Sequence, residues 1–478
     1  MNENKRGNWG SNIGFLLATV GSAVGLGNIW GFPYKMGANG GFAFLLVYIV
    51  LAVFVGFILM ITEMALGRKT GQGVVGTFRT LSKRFKFVGW MGMLAPFLIL
   101  MFYTVLAGYC LEYMLLNLSS MAFGALGGSS ATGGDLFAGM ITNQAGSVIF
   151  ALIVIAFGYL VIKGGIKGGI EKFNKVGMPA LFIMLVIVAI RSITLPGAGE
   201  GLKFMFAPNF QPLKENFFGV LSTAGGQMFF SLSLAMGVIV TYGSYLSKKE
   251  NLVKNAGIVV VSDTIVALLA GLAVIPAAFA LGGEGAAMAG PKLLFVTMQD
   301  VFNNMGYIGS VFGTLFYLLV LIAAVTSQVS LTEVLSTHFV DRAEKKGKEP
   351  NRKKIALWIS LTVAVGAVVV AIDGLGANGV WVPFQNSLGI VGSFNDCWLD
   401  FLDTIAEGIS MPLCAFFIAV CTGWELKPKT IFEEIEQEGN KMRIKGFYTF
   451  CVKYVAPLAM LFILLGMVDG IFALGILS

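Results

Sequence analysis

About eleven runs of predominantly apolar residues, each long enough to cross a bilayer, dominate this chain, near 12–35, 41–66, 88–117, 146–163, 176–194, 216–246, 255–282, 306–340, 355–374, 396–422 and 447–474. A helix needs ~20 apolar residues to span the hydrocarbon core. Inside lipid every backbone N–H and C=O must be paired, so runs of this length are read as helices. The residue-by-residue alternation of a membrane barrel is absent. The chain therefore reads as an all-α integral membrane protein of about 11 transmembrane helices, numbered 1 to 11 in chain order. Composition agrees: 56% of residues are hydrophobic and 12% charged, where a soluble domain carries about a quarter charged.

The net charge of +7 is not a nucleic-acid signal, because the basic residues sit in short loops between spans. The stretch 67–87 holds Arg68, Lys69, Arg79, Lys83, Arg84 and Lys86 without an acid, whereas 118–145 carries only Asp135. The positive-inside rule then places the N-terminus and the 67–87 loop in the cytoplasm. With an odd number of spans, the C-terminus at Ser478 lies outside. The first span is too long for a removable signal peptide and lacks a small-residue cleavage site. Five cysteines are scattered without metal spacing, and no disulfide is expected. A single histidine, His338, rules out a histidine-built metal centre. No phosphate-binding loop, zinc-protease helix or nucleophile elbow is present, so the chain does not read as an enzyme.

Two spans are unlike lipid-facing helices. Span 1 contains Gly21-Ser22-Ala23-Val24-Gly25-Leu26-Gly27-Asn28, and span 6 contains Gly225-Gly226-Gln227-Met228-Phe229-Phe230-Ser231-Leu232-Ser233. They are the first members of two sets of five. Glycine-interrupted helices at matching positions in two halves point to an inverted-repeat transporter, with its site where the helices unwind. Unwinding has a chemical use: freed N–H groups at a half-helix N-terminus can hold a carboxylate, and freed carbonyls can hold Na⁺ or an ammonium group. In span 8, residues 323, 327 and 331 follow at i, i+4 spacing with 326 beside them, so neutral oxygens collect on one face.

The stretch 21–34, GSAVGLGNIWGFPY, resembles the helix-1 signature of the neurotransmitter:sodium symporter family. Glu63 to Arg68, Gln227 to Ser233, Thr241 to Tyr245 and Ala323 to Ser327 match further family motifs, in order and at family spacing. The likeness is closest to the bacterial, amino-acid-carrying members. It implies two inverted five-helix repeats with broken helices 1 and 6, at 12–195 and 216–424, plus a peripheral eleventh helix at 447–474. Residues 1–11 would be a cytoplasmic segment with inner-gate residues, and 425–446 a cytoplasmic loop.

The resemblance also implies two sodium sites. The first would take Ala23, Asn28, Ser231, the substrate carboxylate and a residue at the start of helix 7, where Ser262 and Asp263 both qualify. The second would take carbonyls of Gly21, Val24 and Ala323 and the hydroxyls of Thr326 and Ser327. The substrate pocket would be Ala23, Leu26, Gly27, Ile99, Tyr103, Phe230, Ser231, Ser233, Met236, Thr326 and Leu331. Tyr103 would bond the substrate carboxylate and Phe230 would lie over the side chain. Met236 is adaptable and no charged group lines the pocket, which favours large hydrophobic or aromatic neutral L-amino acids. Asp263 stands about where animal relatives bind chloride, so chloride is not expected to be required.

Gates follow from the same likeness. Arg6, Trp9, Tyr245 and Asp341 match the family's inner latch. Outside, Gly31 stands where the family has an arginine; Gln227, which braces that arginine, remains, and Asp400 or Asp403 would be its acidic partner. Either Lys35 substitutes and reaches Asp400, or the gate closes by packing of Trp30 and Phe32 near Tyr103 and Phe230. The second is preferred, because a lysine so far along the span is read as solvated or snorkelling. Gly169 and Pro179 are spaced as in bacterial relatives whose helix 5 unwinds at its start. A proton-coupled carrier would need a Lys, His or acid in place of the second sodium, and a channel would need a repeated filter. A non-transporting sensor of the same architecture is the remaining alternative.

Overall fold

Wherever the chain is described (residues 9–123, 132–287, 292–383 and 397–472 of a computed structural model), its regular elements are helices. Nine helices among the described residues are long and apolar enough to cross a membrane: Phe42–Thr70, Lys86–Ala122, Gln144–Ile162, Ile166–Ile193, Leu252–Gly283, Tyr307–Lys345, Arg352–Asp373, Trp398–Glu425 and Lys445–Asp469. They are helices 2, 3, 4, 5, 7, 8, 9, 10 and 11 of the sequence reading. Helix 1 is a tenth candidate span in two pieces, Asn12–Ala23 and Gly27–Ala38, bent by 45°. Residues 216–246, read as one span, are two helices, Phe217–Ser231 and Val238–Gly243, with non-helical backbone between.

The outer helices show the one-sided pattern that a bilayer imposes. On helix 5, Val176, Ile183 and Ile190 recur every seven residues and are exposed, while Leu181, Leu185 and Val188 are buried. The broken helices lie inside. The first half of helix 1 packs against helices 5, 7 and 8, and the two halves of helix 6 pack against helix 2. Helices 3 and 8 run along each other and wall the interior. At the end of helix 2, Arg68 donates through Nε to Glu434 Oε1 at 2.7 Å in a fully buried pair, and Lys248 joins the same carboxylate at 2.7 Å. That cluster clips the segment after helix 10 to the loop after helix 6.

Candidate functional site

Helix 1 stops at Ala23 because Val24 turns extended (φ −81°, ψ 94°); the chain then rewinds as a π-turn over Gly27–Gly31. The break frees backbone groups. The Leu26 N–H donates to the Tyr103 hydroxyl at 3.0 Å and the Gly25 N–H to Asn28 Oδ1 at 3.2 Å. The Ser22 carbonyl accepts from Ser327 Oγ at 3.1 Å. Gly25 permits this approach: a Cβ there would lie 2.5 Å from Ser327 Oγ and 2.6 Å from the Tyr103 hydroxyl.

Helix 6 breaks after Ser231 with Ser233, Ala235 and Gly237 at φ of 53°, 60° and 72°. Left-handed backbone costs non-glycine residues about 1–3 kcal/mol each and persists where surroundings hold it. Here Ser233 Oγ donates to the Ser22 carbonyl at 2.9 Å, and the Ala235 N–H donates to Glu63 Oε1 at 2.7 Å. The two breaks are thus fastened to each other and to helix 2. Glu63, quoted in the sequence only as part of a motif, is fully buried and caps the second break. A lone acid inside an apolar run, four residues before the Gly67-Arg68 pair, was the available signal.

The residues expected at the first sodium site converge. Asp263 is fully buried. Its carboxylate accepts from Asn28 Nδ2 at 2.8 Å, lies 2.9 Å from Ser231 Oγ through both oxygens, and accepts from the Tyr48 hydroxyl at 2.8 Å. Ala23 ends the first half of helix 1. Ser262, the other candidate, is half-buried and makes no side-chain hydrogen bond among the described residues. Helix 7 therefore presents Asp263. The carboxylate forms no salt bridge with a basic side chain among the described residues, and Tyr48 is a partner the sequence reading missed.

The second set also assembles. Thr326 Oγ1 donates to the Ala323 carbonyl at 2.8 Å, and Ser327 Oγ lies 3.5 Å from the Gly21 carbonyl. Val24, where helix 1 turns, is fully buried. Between the two sets lies a cavity lined by Ala23, Gly27, Ile99, Tyr103, Phe230, Ser233, Met236 and Leu331, all expected, and by Ser22, Gly25 and Ser327, which were not. Leu26, Ser231 and Thr326 do not line it. Its volume is ≈ 20 Å³, space for about one water. The Phe230 ring, 6.5 Å from that of Tyr103, covers it. Admitting an amino acid requires Phe230 and its neighbours to part.

Arg6 lies outside the described residues. Trp9 donates through Nε1 to the Tyr242 carbonyl at 3.1 Å and sets its ring edge-on to Tyr242 and Tyr245. The Tyr245 hydroxyl donates to Glu333 Oε1 at 2.8 Å, and Glu333 pairs with Arg352 at 2.7 Å. Asp341 accepts from the Gly73 N–H at 2.9 Å. Within the aromatic part of the expected latch, Tyr245 is held by Glu333, an acid the sequence reading did not single out.

The outer side departs from both expectations. Lys35 is neither solvated nor joined to Asp400. It pairs with Glu407 Oε1 at 2.5 Å, and the two side chains are only 14% and 11% exposed. Helix 10 winds as a π-turn over Thr404–Ser410, and this is the turn that carries Glu407. Phe32 packs inward on Phe44 and Tyr48, away from the pocket, while Trp30 lines the vestibule. Gln227 donates to the Gly27 carbonyl at 2.7 Å, and its Oε1 lies 2.9 Å from where a Cβ on Gly31 would stand. Asp400 and Asp403 share the ≈ 70 Å³ vestibule with the ion pair. The start of helix 5 is wound, as a π-turn over Ile166–Glu171, and the helix continues through Pro179.

Paired broken helices that enclose buried, oxygen-lined sites are the construction of a secondary transporter. The sodium:neurotransmitter symporter family matches residues 6–125 and 138–473, and the chain belongs to that family. It is a transporter, not an enzyme. It is 34% identical over 476 residues to the uncharacterized sodium-dependent transporter YhdH of Bacillus subtilis (strain 168), covering 98% of this chain and 99% of that protein. An uncharacterized sodium-dependent transporter of Haemophilus influenzae is 32% identical over 476 residues, with coverage of 97% and 98%. The crystal structure of MhsT in complex with L-phenylalanine superposes with a TM-score of 0.85 at 35% identity, covering 97% of this chain and all of that one.

Proposed function

We propose that this protein couples the uptake of a neutral, large hydrophobic or aromatic L-amino acid to sodium. Two Na⁺ ions would be used, without chloride, by alternating access across a bacterial inner membrane. In this reading the two five-helix halves, 12–195 and 216–424, act as inverted repeats. The N-terminus faces the cytoplasm and the C-terminus the outside. The observation that carries the proposal is Asp263: a fully buried carboxylate beside two helix breaks, held by three neutral donors. Buried charges inside a membrane protein are paired or mark an ion pathway. Sodium joined by the substrate carboxylate at Asn28 and Ser231 satisfies that requirement. The oxygens at Ala323, Thr326 and Ser327 suit a second hard monovalent ion.

Substrate size follows from the lining. The cavity has Ile99, Phe230, Met236 and Leu331 around it and no acid or base, so a charged side chain would go unpaired. MhsT, the similar structure, holds L-phenylalanine. The test is a binding screen over the proteinogenic amino acids in sodium and in choline, followed by uptake into proteoliposomes. Sodium-dependent binding of Leu, Phe, Tyr or Trp is expected. Equal affinity in choline, or strong binding of glycine with none of the large residues, would sink the reading.

A further inference from the structure

The face of helix 5 that meets helix 1 carries Glu171, Asn174 and Met178, spaced by three and four residues. Asn174 is fully buried. Its Nδ2 donates to the Ile170 carbonyl at 2.9 Å, which ties the nitrogen to its own helix and turns Oδ1 outward. That oxygen has no hydrogen-bond partner among the described residues. It lies directly against Gly21: a Cβ there would run into it, and would also come 3.1 Å from Met178 Sδ. The Gly21 carbonyl belongs to the second cation set, 3.5 Å from Ser327 Oγ. A neutral oxygen acceptor without a partner thus stands beside that set, on the helix 5 side.

One turn nearer the start of helix 5 is a carboxylate. Glu171 accepts from the Gly10 N–H at 2.7 Å and from Ser11 Oγ at 3.1 Å, and it pairs with Lys175 at 2.7 Å. Its side chain is 2% exposed, but that of Lys175 is 45% exposed, so the cluster reaches solvent. Glu171 closes the π-turn that begins helix 5, just after Gly164 and Gly165. Oxygen character therefore increases from the second set outward: hydroxyls and carbonyls, then an amide oxygen, then an anion. Buried acceptors normally find partners, and an amide oxygen is a suitable ligand for a hard monovalent cation.

We propose that Asn174 Oδ1 is a transient cation site for the ion leaving the second set toward the cytoplasm, and that Glu171 receives the ion next. The inference rests on the sodium-coupled reading above and adds a route to it. Because the Glu171 oxygens already hold Gly10 and Ser11, accepting an ion there loosens the N-terminal segment from helix 5. Ion exit and release of that segment become one event. A packing role alone, with Oδ1 accepting only a weak Cα–H contact from Gly21, predicts something different: loss of the amide would lower binding and transport together.

The experiment uses the full-length protein. Sodium-dependent L-phenylalanine binding is measured in detergent, and sodium-driven L-phenylalanine uptake in proteoliposomes, for wild type, Asn174→Ala, Asn174→Asp and Glu171→Gln. Asn174→Ala is expected to keep the sodium dependence of binding within about twofold while slowing uptake about tenfold, a split between affinity and turnover. Asn174→Asp, which keeps an oxygen, should restore uptake and make it roughly tenfold more sensitive to sodium inside the vesicle. Glu171→Gln should slow uptake with binding unchanged. Wild-type uptake by Asn174→Ala overturns the proposal, as does a parallel fall in affinity and rate that Asn174→Asp does not rescue. Wild-type uptake by Glu171→Gln removes the second step. If the wild type shows no sodium-dependent binding of Leu, Phe, Tyr or Trp, the sodium-coupled reading fails first and this route falls with it, a result distinct from any variant-specific one.

Discussion

Replacing Asp263 by asparagine tests the role of its charge with little change of shape. The carboxylate accepts from Asn28 at 2.8 Å and from Tyr48 at 2.8 Å, and both its oxygens lie 2.9 Å from Ser231 Oγ. An amide keeps one acceptor oxygen and offers N–H where an acceptor stood, while Ser231 can reverse its hydroxyl to meet it. The larger loss is electrostatic. A unit charge about 4 Å from Na⁺ is worth ~4 kcal/mol at an effective dielectric of ~20. If about half of this is returned by relaxation and water, ~2 kcal/mol remains, or sodium affinity roughly 30-fold weaker. The assay is a sodium titration of L-phenylalanine binding, in gluconate and then in chloride. The half-saturating sodium concentration should rise by that factor in gluconate and recover in part in chloride, which supplies the missing anion. Gel filtration and binding at saturating sodium check folding. A half-saturating concentration within about threefold of wild type in gluconate would show that the carboxylate is not the counter-charge.

Lys35→Ala leaves Glu407 unpaired at the outer vestibule. The pair is mostly buried, so its loss should fall between the ~0–1 kcal/mol of an exposed pair and the ~3–5 kcal/mol of a buried one broken from one side. Release of bound L-phenylalanine to the outside is expected to accelerate about tenfold, equivalent to ~1.4 kcal/mol, and Lys35→Ala with Glu407→Gln should recover much of it; no change in the single variant refutes a gating role. Gly25→Ala places a methyl 2.5 Å from Ser327 Oγ and 2.6 Å from the Tyr103 hydroxyl, and it should abolish sodium-dependent binding while the protein still purifies as a monodisperse species. Glu63→Gln retains an acceptor for the Ala235 N–H and should bind L-phenylalanine within about threefold of wild type, whereas Glu63→Ala strips the cap from a left-handed residue and should lose binding; equal behaviour of the two would show that the cap is dispensable. Gly31→Arg must displace Gln227 Oε1, 2.9 Å from the added Cβ, and is expected to slow outward release, read by dilution of bound label.

The helices and the broken pair were legible because lipid removes alternatives: unpaired backbone is costly there, so apolar runs are helices, and glycines with polar side chains mid-run mark where helices stop. Most of the residues gathered at the two helix breaks were named by local motifs, each a few residues long. What the motifs did not contain was the partner of each group. Tyr48, Glu333 and Glu407 lie on helices far from the residues they hold, and nothing in their own neighbourhoods singles them out. The displaced outer ion pair was misread because Lys35 was judged by its position along a helix, whereas its partner depends on how a π-turn in helix 10 rotates Glu407 toward it.

Sequence by itself determined the membrane class, the all-helical fold, the positions of the two breaks and the oxygen chemistry near them. These follow from hydropathy and from backbone freedom, which are properties of short stretches. Only the tertiary structure decided which candidate at the start of helix 7 faces inward, which acid Lys35 meets, and that Glu63 and Ser22 lock the second break. It alone showed the Asn174 oxygen against Gly21, without a hydrogen-bond partner among the described residues. The physical reason is that hydrogen bonds and ion pairs act over about 3–4 Å, while the chain separations involved, such as 235 residues between Asn28 and Asp263, are bridged only by packing.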